Sequence, residues 1–188
     1  MVMTFLKIMM MCLSINLLIL WSFPVNALNN KSIPEDAIQG DFDGDHKTEF
    51  AWITSNIKEP QTGDNMDECE GGDCRCIIHF SNSMIKEIVV SMCIGADLLQ
   101  NEGDLNDDGG DDIALVPSWW TSCWQAAHIY TLKNQQWREM IKPFSIYCAQ
   151  LEENPDIVRK VGHHLIEIEE THIDDDTFQV KKRTVKVK

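Results

Sequence analysis

The chain has 188 residues, with 30 acidic residues against 16 basic ones and a formal net charge of −14 at pH 7. Such an acidic surface repels nucleic acid and anionic membranes and suits cations or a basic protein partner, so a nucleic-acid-binding protein is excluded. Beyond the N-terminus no apolar run is long enough to span a bilayer, which predicts one domain without stable membrane insertion.

Residues 1–27 have the pattern of a secretory signal peptide. Lys7 is the only charged side chain, an apolar run follows over residues 8–21, and Val25, Asn26 and Ala27 match the small-x-small cleavage pattern. The apolar run is too short for a stable transmembrane helix. The pattern predicts cleavage after Ala27, export to a periplasm or out of the cell, and a flexible lead over residues 28–39. An uncleaved N-terminal anchor is the alternative.

Residues 40–188 are predicted to form a single, mainly β domain. The segments rich in β-branched and aromatic residues predict strands, and no long segment has the helical period of 3.6. The predicted strands cover residues 50–54, 76–80, 85–93, 113–116, 126–132, 136–144, 164–169 and 178–188. Between the first two, residues 55–73 carry Pro60 and several glycines, which predicts an exposed loop.

Six cysteines remain when Cys12, inside the signal, is set aside. They are Cys69, Cys74, Cys76, Cys93, Cys123 and Cys148. An even number in an exported chain predicts three disulfides, with fifteen connectivities open. Cys69 and Cys74 flank a Gly-Gly pair and could close a hairpin turn. Zinc thiolates are the alternative, but the spacing lacks a matching second cysteine pair.

Two acidic segments, starting at Gly40 and at Gly103, align without gaps. The first reads GDFDGDHKTEFAWI and the second GDLNDDGGDDIALV, so each ends in an apolar strand that contains alanine. A recurring order of this kind predicts a repeated structural unit. We therefore divide the domain into two units, about 40–102 and 103–188.

The spacing of oxygen-bearing residues in both segments suits calcium. Calcium takes six to eight oxygen ligands, and a tight loop supplies them from alternate positions. Side chains at positions 1, 3, 5 and 9 are Asp41, Asp43, Asp45 and Glu49 in the first loop and Asp104, Asn106, Asp108 and Asp112 in the second; position 7 offers the carbonyls of Lys47 and Gly110. Metal-free Asx turns are the alternative for each loop. Position 12 holds Trp52 or Leu115, which excludes an EF-hand.

The pattern resembles the FG-GAP or VCBS repeats of integrin-like β-propellers, in which such a loop binds calcium just before a strand. The resemblance covers about fourteen residues in each copy. It implies two calcium sites and two blade-like antiparallel units of a small propeller-related or sandwich domain, stabilised by disulfides. His46 stands where the second copy has Gly109, and a left-handed backbone there costs a non-glycine residue about 1 kcal/mol. We therefore expect the second loop to bind more tightly.

Three tryptophans and three histidines form two groups, each of which allows either a structural or a binding role. Trp119, Trp120 and Trp124 are expected to pack in the core and against a disulfide, and a partner-binding surface is the alternative. The three histidines are His163, His164 and His172. They are expected to be solvated at strand ends, since no cysteine or acid in the sequence completes a zinc or copper pattern beside them.

The sequence contains no catalytic constellation. Ser122 and Ser145 lack a nucleophile-elbow context, and His128 has no triad partner that the sequence shows. The predicted function is an exported, non-enzymatic binding module with calcium-stabilised loops that recognises a protein or glycan. The alternative is a periplasmic inhibitor or immunity protein that neutralises a basic toxin or cell-wall hydrolase, because charge complementarity would speed that encounter.

Overall fold

A computed structural model describes residues 32–58, 69–120, 122–175 and 177–188. The predicted signal peptide, residues 28–31 of the predicted lead and residues 59–68 of the predicted exposed loop lie outside the described residues. Every element below belongs to one unit, Ile33–Lys188. Within the described part of the chain, no helix has the length and apolar character needed to cross a bilayer.

The prediction of a mainly β fold is confirmed, and the strands form three antiparallel sheets. The first sheet contains β1 (Ile38–Gly40), β2 (Glu49–Ser55), β3 (Arg75–Phe80) and β4 (Ile88–Ser91), in that order. The second contains β5 (Gly95–Gly103), β6 (Asp112–Ser118), β7 (Trp124–Lys133) and β8 (Gln136–Glu139), with β9 (Phe144–Tyr147) also paired to β7. After α1 (Cys148–Glu153), the third contains β10 (Val158–Gly162), β11 (Leu165–Asp174) and β12 (Thr177–Lys186).

The first two sheets repeat one arrangement. In each, the acidic loop joins the first strand to the second, and the second strand pairs with the third. Ala51 lies opposite Phe80 in the first sheet, and Ala114 lies opposite Ile129 in the second. The third sheet follows the same strand order, but a two-residue turn at His163 replaces the acidic loop. Strand β5 of the second sheet lies in the predicted first unit, about residues 40–102, so the predicted second unit, residues 103–188, contains the rest of the second sheet and the whole third sheet.

Strand β6 lies between two hydrophobic clusters. Ile113 and Leu115 pack into the cluster shared with the first sheet, whereas Ala114 and Val116 pack into the cluster shared with the third. Successive side chains of a strand point to opposite faces, so a strand buried on both faces needs a continuous apolar run. All four residues are fully buried. The middle sheet is thus the centre of the fold.

Three disulfides form, as predicted, and the structure selects one of the fifteen pairings. They are Cys69–Cys74, Cys76–Cys93 and Cys123–Cys148. The prediction that Cys69 and Cys74 close a turn is confirmed. Cys76–Cys93 ties β3 to the segment after β4, and Cys123–Cys148 ties the start of β7 to α1. Each bond restricts the unfolded chain and so stabilises the fold.

Several strand boundaries differ from the prediction. The segment 85–93 contributes only β4, because Ile85 lies in a turn and Met92 has a positive φ of 54°. The segment 136–144 divides into β8 and β9, and the end of the predicted lead forms β1. Strand β5 has no sequence signal, since its residues include Asp97, Asn101 and Glu102, types that are depleted in strands.

Candidate functional site

The first acidic loop is held by its own carboxylates. The Phe42 N–H donates to Glu49 Oε2 at 2.9 Å and the His46 N–H donates to Asp41 Oδ2 at 3.0 Å. The Asp45 N–H donates to Asp43 Oδ1 at 3.1 Å, and the Lys47 N–H donates to Asp45 Oδ1 at 2.9 Å. All four predicted acidic side chains therefore turn into the loop.

The second loop repeats these four hydrogen bonds at the same four positions. In the same order, they run from Leu105 N to Asp112 Oδ2 at 2.8 Å, from Gly109 N to Asp104 Oδ2 at 3.0 Å, from Asp108 N to Asn106 Oδ1 at 2.9 Å, and from Gly110 N to Asp108 Oδ1 at 3.2 Å. The ungapped alignment of the two segments therefore corresponds to one loop conformation formed twice.

Positions 4 and 6 of both loops have a left-handed backbone. In the first loop these are Gly44, with φ 73°, and His46, with φ 65°. In the second they are Asp107, with φ 65°, and Gly109, with φ 96°. Each loop thus contains one strained non-glycine residue. Aspartate tolerates this conformation better than histidine because its short polar side chain bonds locally.

The acid at position 9 of each loop is buried. Glu49 is 3 % exposed and Asp112 is 1 % exposed. Burial raises the pKa of Glu49, and it raises the pKa of Asp112 to about 7, although the Leu105 N–H and the Thr131 hydroxyl oppose the shift. The nearby Asp108 and Asp104 contribute to the raised pKa of Asp112. A positive charge in either loop would relieve this electrostatic cost.

The first loop gathers oxygen atoms in one small volume. One carboxylate oxygen from each of Asp41, Asp43 and Glu49 lies within 4.8 Å of the other two. Asp41 Oδ1 is buried and has no hydrogen-bond partner among the described residues. Lys47 Nζ lies 2.5 Å from Asp45 Oδ2, and this hydrogen bond lowers the pKa of Asp45. The donor set fits a hard cation, with Lys47 as a local competitor.

In the second loop, Asn106 takes the place of a carboxylate and is almost fully buried. Its Nδ2 donates to Thr131 Oγ1 at 2.9 Å and to Asp108 Oδ2 at 3.0 Å. Position 7 is Gly110, so the second loop has no counterpart of the lysine at this position. Its remaining predicted acids keep the hydrogen bonds described above, but Asp104, Asp108 and Asp112 do not bring one carboxylate oxygen each within 4.8 Å of one another, as the acids of the first loop do.

Two residues that the sequence did not single out complete the surroundings of the loops. Asn82 Nδ2 donates to Asp43 Oδ2 at 2.9 Å, and Thr131 Oγ1 lies 3.4 Å from Asp108 Oδ2. The strand registers place Asn82 and Thr131 at equivalent positions, each two residues beyond the partner of the alanine on the loop's following strand. Unequal insertions separate them from their loops in sequence, so no alignment could have paired them.

The two loops pack directly against each other. The Asp111 N–H donates to the Asp41 carbonyl at 2.8 Å, and the Asp41 N–H donates back to Asp111 Oδ2 at 2.9 Å. A Cβ on Gly110 would lie 2.9 Å from the Phe42 carbonyl oxygen. Such a contact is shorter than real Cβ atoms show, so the interface requires glycine at this position.

The second loop also contacts the third sheet. Lys160 Nζ lies 2.5 Å from Asp107 Oδ1 and donates to the Asp104 carbonyl at 2.6 Å. This ammonium, with the His164 N–H, lowers the pKa of Asp107 to about 2. His163, whose side chain is 77 % exposed, and His164 lie in the turn between β10 and β11, and the structure places Asp107, which is distant in sequence, beside both.

The expectation that the tryptophans pack in the core is wrong for two of the three. Trp120 and Trp124 are each 39 % exposed, and Trp119 is half-buried. The ring of Trp124 packs edge-on against the Tyr147 ring, with centroids 5.2 Å apart, and lies near Phe178 at 5.7 Å. Trp124 begins β7 and Tyr147 ends β9, so this ring cluster lies at strand ends, and Phe178 is itself 55 % exposed.

Trp119 and Trp124 line an open groove of about 500 Å³ between the β4 segment and β7. Val89 and Met92 lie on its opposite side and are 62 % and 69 % exposed. His128 also lines the groove, and its Nδ1 lies 2.8 Å from Glu139 Oε1. The groove therefore offers aromatic and aliphatic surface with polar groups at one side.

Comparisons of the chain with protein-family models, with curated proteins and with solved structures found no match.

Proposed function

We propose that the protein is an exported, non-enzymatic binding module whose two acidic loops bind calcium and whose exposed aromatic groove binds a protein partner. The observation that carries this proposal is the same set of four hydrogen bonds, with a buried acid at position 9, in both loops. A loop conformation formed twice around inward-facing oxygens is the arrangement that a hard cation stabilises.

Calcium accounts for features that metal-free Asx turns leave unexplained. An Asx turn satisfies backbone N–H groups, but it does not require several carboxylates to share one small volume. Asp41 Oδ1 and the buried acids Glu49 and Asp112 have unfavourable surroundings without a cation. Calcium would supply the positive charge, and the proposed ligands are the side chains at positions 1, 3, 5 and 9 with the carbonyls of Lys47 and Gly110.

We propose that the second loop binds calcium more tightly than the first. Lys47 Nζ forms an ion pair with Asp45, a predicted ligand of the first loop. A cation must therefore compete with this ammonium group. The second loop has Gly110 at that position. The residue strained by a left-handed backbone is His46 in the first loop and the better-tolerated Asp107 in the second.

The three sheets support a propeller-related architecture. Each is an antiparallel meander, and in the first two sheets the loop between the first two strands packs against the next sheet. We propose that they are three blade-like units of which the third has lost its acidic loop. Phe42 and Leu105, at position 2 of the loops, each anchor their loop in a hydrophobic cluster between neighbouring sheets.

The groove is the proposed partner surface. An exposed tryptophan, Trp124, and a half-buried one, Trp119, beside exposed aliphatic side chains form the kind of surface that anchors a protein partner or stacks on a sugar ring. The net charge of −14 favours a basic partner, and this is the observation behind the alternative function, neutralisation of a basic toxin or cell-wall hydrolase.

Calcium binding is tested by thermal unfolding in calcium, in magnesium and in chelator. We expect calcium to raise the melting temperature, Asp104→Ala and Asp108→Ala to remove most of that response, and Asp43→Ala to remove a smaller part. Asp175→Asn, in the exposed β11–β12 turn, is the control because it removes one acidic charge outside the loops. A melting temperature that is the same in calcium and in chelator would refute the calcium proposal.

Partner binding is tested by affinity capture from an envelope fraction, with Trp124→Ala as the variant and Val161→Ala as the control. Val161 is 45 % exposed on β10, away from the groove. A specific partner should be lost with Trp124→Ala and kept with Val161→Ala. If the alternative function holds, the captured protein is a basic toxin or hydrolase, and its activity falls when the purified chain is added. If Trp124→Ala and Val161→Ala both capture the partner as well as the unsubstituted chain does, the groove is not the partner-binding surface.

A further inference from the structure

The turn between β10 and β11 brings two histidines to one carboxylate. His163 Nδ1 lies 2.8 Å from Asp107 Oδ2, and His164 Nδ1 lies 3.7 Å from the same oxygen. The two imidazole centroids are 4.0 Å apart. The three ligand atoms lie within 4.8 Å of one another, in a part of the molecule separate from the proposed calcium ligands of the first loop.

Local backbone geometry explains why adjacent histidines reach the same atom. Neighbouring residues of a regular strand point to opposite faces. His164 has a positive φ of 51°, so the turn breaks this alternation, and its N–H donates to Asp107 Oδ2 at 2.8 Å. Asp107 itself projects from position 4 of the second loop with a left-handed backbone, away from the side chains that bond within the loop.

One of the three atoms that would face the proposed ion has no other hydrogen bond, and a second belongs to a carboxylate that Lys160 holds by its other oxygen. His164 Nδ1 is buried and has no hydrogen-bond partner among the described residues. Lys160 Nζ contacts the other carboxylate oxygen, Asp107 Oδ1, at 2.5 Å, and this leaves Oδ2 towards the histidines. The side chain of His163 is 77 % exposed, which gives an ion a route in from solvent.

We propose that Asp107, His163 and His164 form a site for a late first-row divalent cation such as Zn²⁺, which ties the second acidic loop to the third sheet. Zinc ligands at about 2.0–2.2 Å in a tetrahedron lie roughly 3.4 Å apart. The observed separations of 2.8 and 3.7 Å bracket that value. Two imidazoles and one carboxylate are a zinc ligand set with one position open to water.

The first loop has no equivalent of this site, because Gly44 stands at the position of Asp107 and carries no carboxylate. Asp107 lies in the second loop but is not a proposed calcium ligand, so the zinc site can be tested with calcium present throughout. The same comparison supplies a variant that the backbone accepts: Asp107→Gly restores the residue that the first loop carries at a φ of 73°.

The test is calorimetric titration of the purified full chain with ZnCl₂ in excess calcium. We expect one zinc per chain, with affinity lowered by about tenfold or more in His163→Ala, His164→Ala and Asp107→Gly, since loss even of an outer-shell partner costs 10–100-fold. His172→Ala is the matched control, because His172 also lies beside a carboxylate, Glu170, at 3.3 Å.

Melting temperatures without zinc show whether each variant is folded, and the exposed side chain of His163 makes His163→Ala the safest of the three. Added zinc should raise the melting temperature of the unsubstituted chain and of His172→Ala, but not of His163→Ala. The proposal is overturned if the unsubstituted chain binds no zinc, if His163→Ala binds it as well as the unsubstituted chain does, or if His172→Ala weakens it equally.

Discussion

Replacement of Asp112 by asparagine should change stability in opposite directions with and without calcium. Asp112 is 1 % exposed, and burial raises its pKa to about 7 from an ordinary 3.8. Asparagine keeps an oxygen for the Leu105 N–H and removes the charge. Without calcium, Asp112→Asn should therefore stabilise the protein at alkaline pH; with calcium it removes a proposed ligand and should destabilise it.

The size of the metal-free effect follows from the pKa difference. The folded-state pKa lies above the unfolded one, so the metal-free protein loses stability as the pH rises from about 4 through 7. A difference of about three pKa units corresponds to about 4 kcal/mol at pH 8, and to less than about 1 kcal/mol at pH 4. Asp112→Asn removes this dependence.

The assay is urea unfolding at pH 4 and pH 8, in chelator and in calcium, with Asp175→Asn as the control for an exposed acid. In chelator, we expect Asp112→Asn to gain stability over the unsubstituted chain at pH 8 and to match it closely at pH 4. If the variant is less stable in chelator at pH 8, the carboxylate is not electrostatically unfavourable and the reasoning fails. If calcium stabilises both chains equally, Asp112 is not a ligand.

Three other substitutions test local features of the fold. His46→Gly should raise the free energy of unfolding by about 1 kcal/mol, since φ is 65° there, and a decrease in a urea titration would contradict the strain. Gly110→Ala should lower it by about 1–3 kcal/mol because the new Cβ meets the Phe42 carbonyl; an unchanged urea midpoint would mean that the loops separate easily. Glu102→Gln should stabilise the protein by about 3 kcal/mol at pH 8 and progressively less towards pH 4, because burial, with Asp156 nearby, raises the Glu102 pKa to about 7 from 4.5; a gain that does not depend on pH would refute the cause.

The acidic loops were the part of the site that the sequence predicted best. The side chains that turn into each loop follow a short local pattern, and the hydrogen bonds that shape each loop join residues at most seven positions apart. Asn82 and Thr131 could not be found in this way. They reach the loops only through strand pairing, and the intervening segments differ in length between the two copies.

The surroundings of the tryptophans and histidines, in contrast, did not follow from the local sequence. Burial of Trp120 and Trp124 was expected from residue type alone, but both are 39 % exposed, Trp120 beyond the end of β6 and Trp124 at the start of β7. The carboxylate beside His163 and His164 comes from Asp107, more than fifty residues earlier in the chain. Its proximity depends on how the second and third sheets pack.

The sequence by itself determined the β class, the loop repeat and the even set of cysteines, because β-propensity, alternation and turn chemistry are local properties. It also determined that residues 113–116 are strand, since that run is apolar at every position. Only the tertiary structure decided that both faces of this strand are buried, which cysteines pair, and which polar residues meet across sheets. These contacts join residues far apart in the chain, and they depend on the order and stacking of sheets that no local pattern specifies.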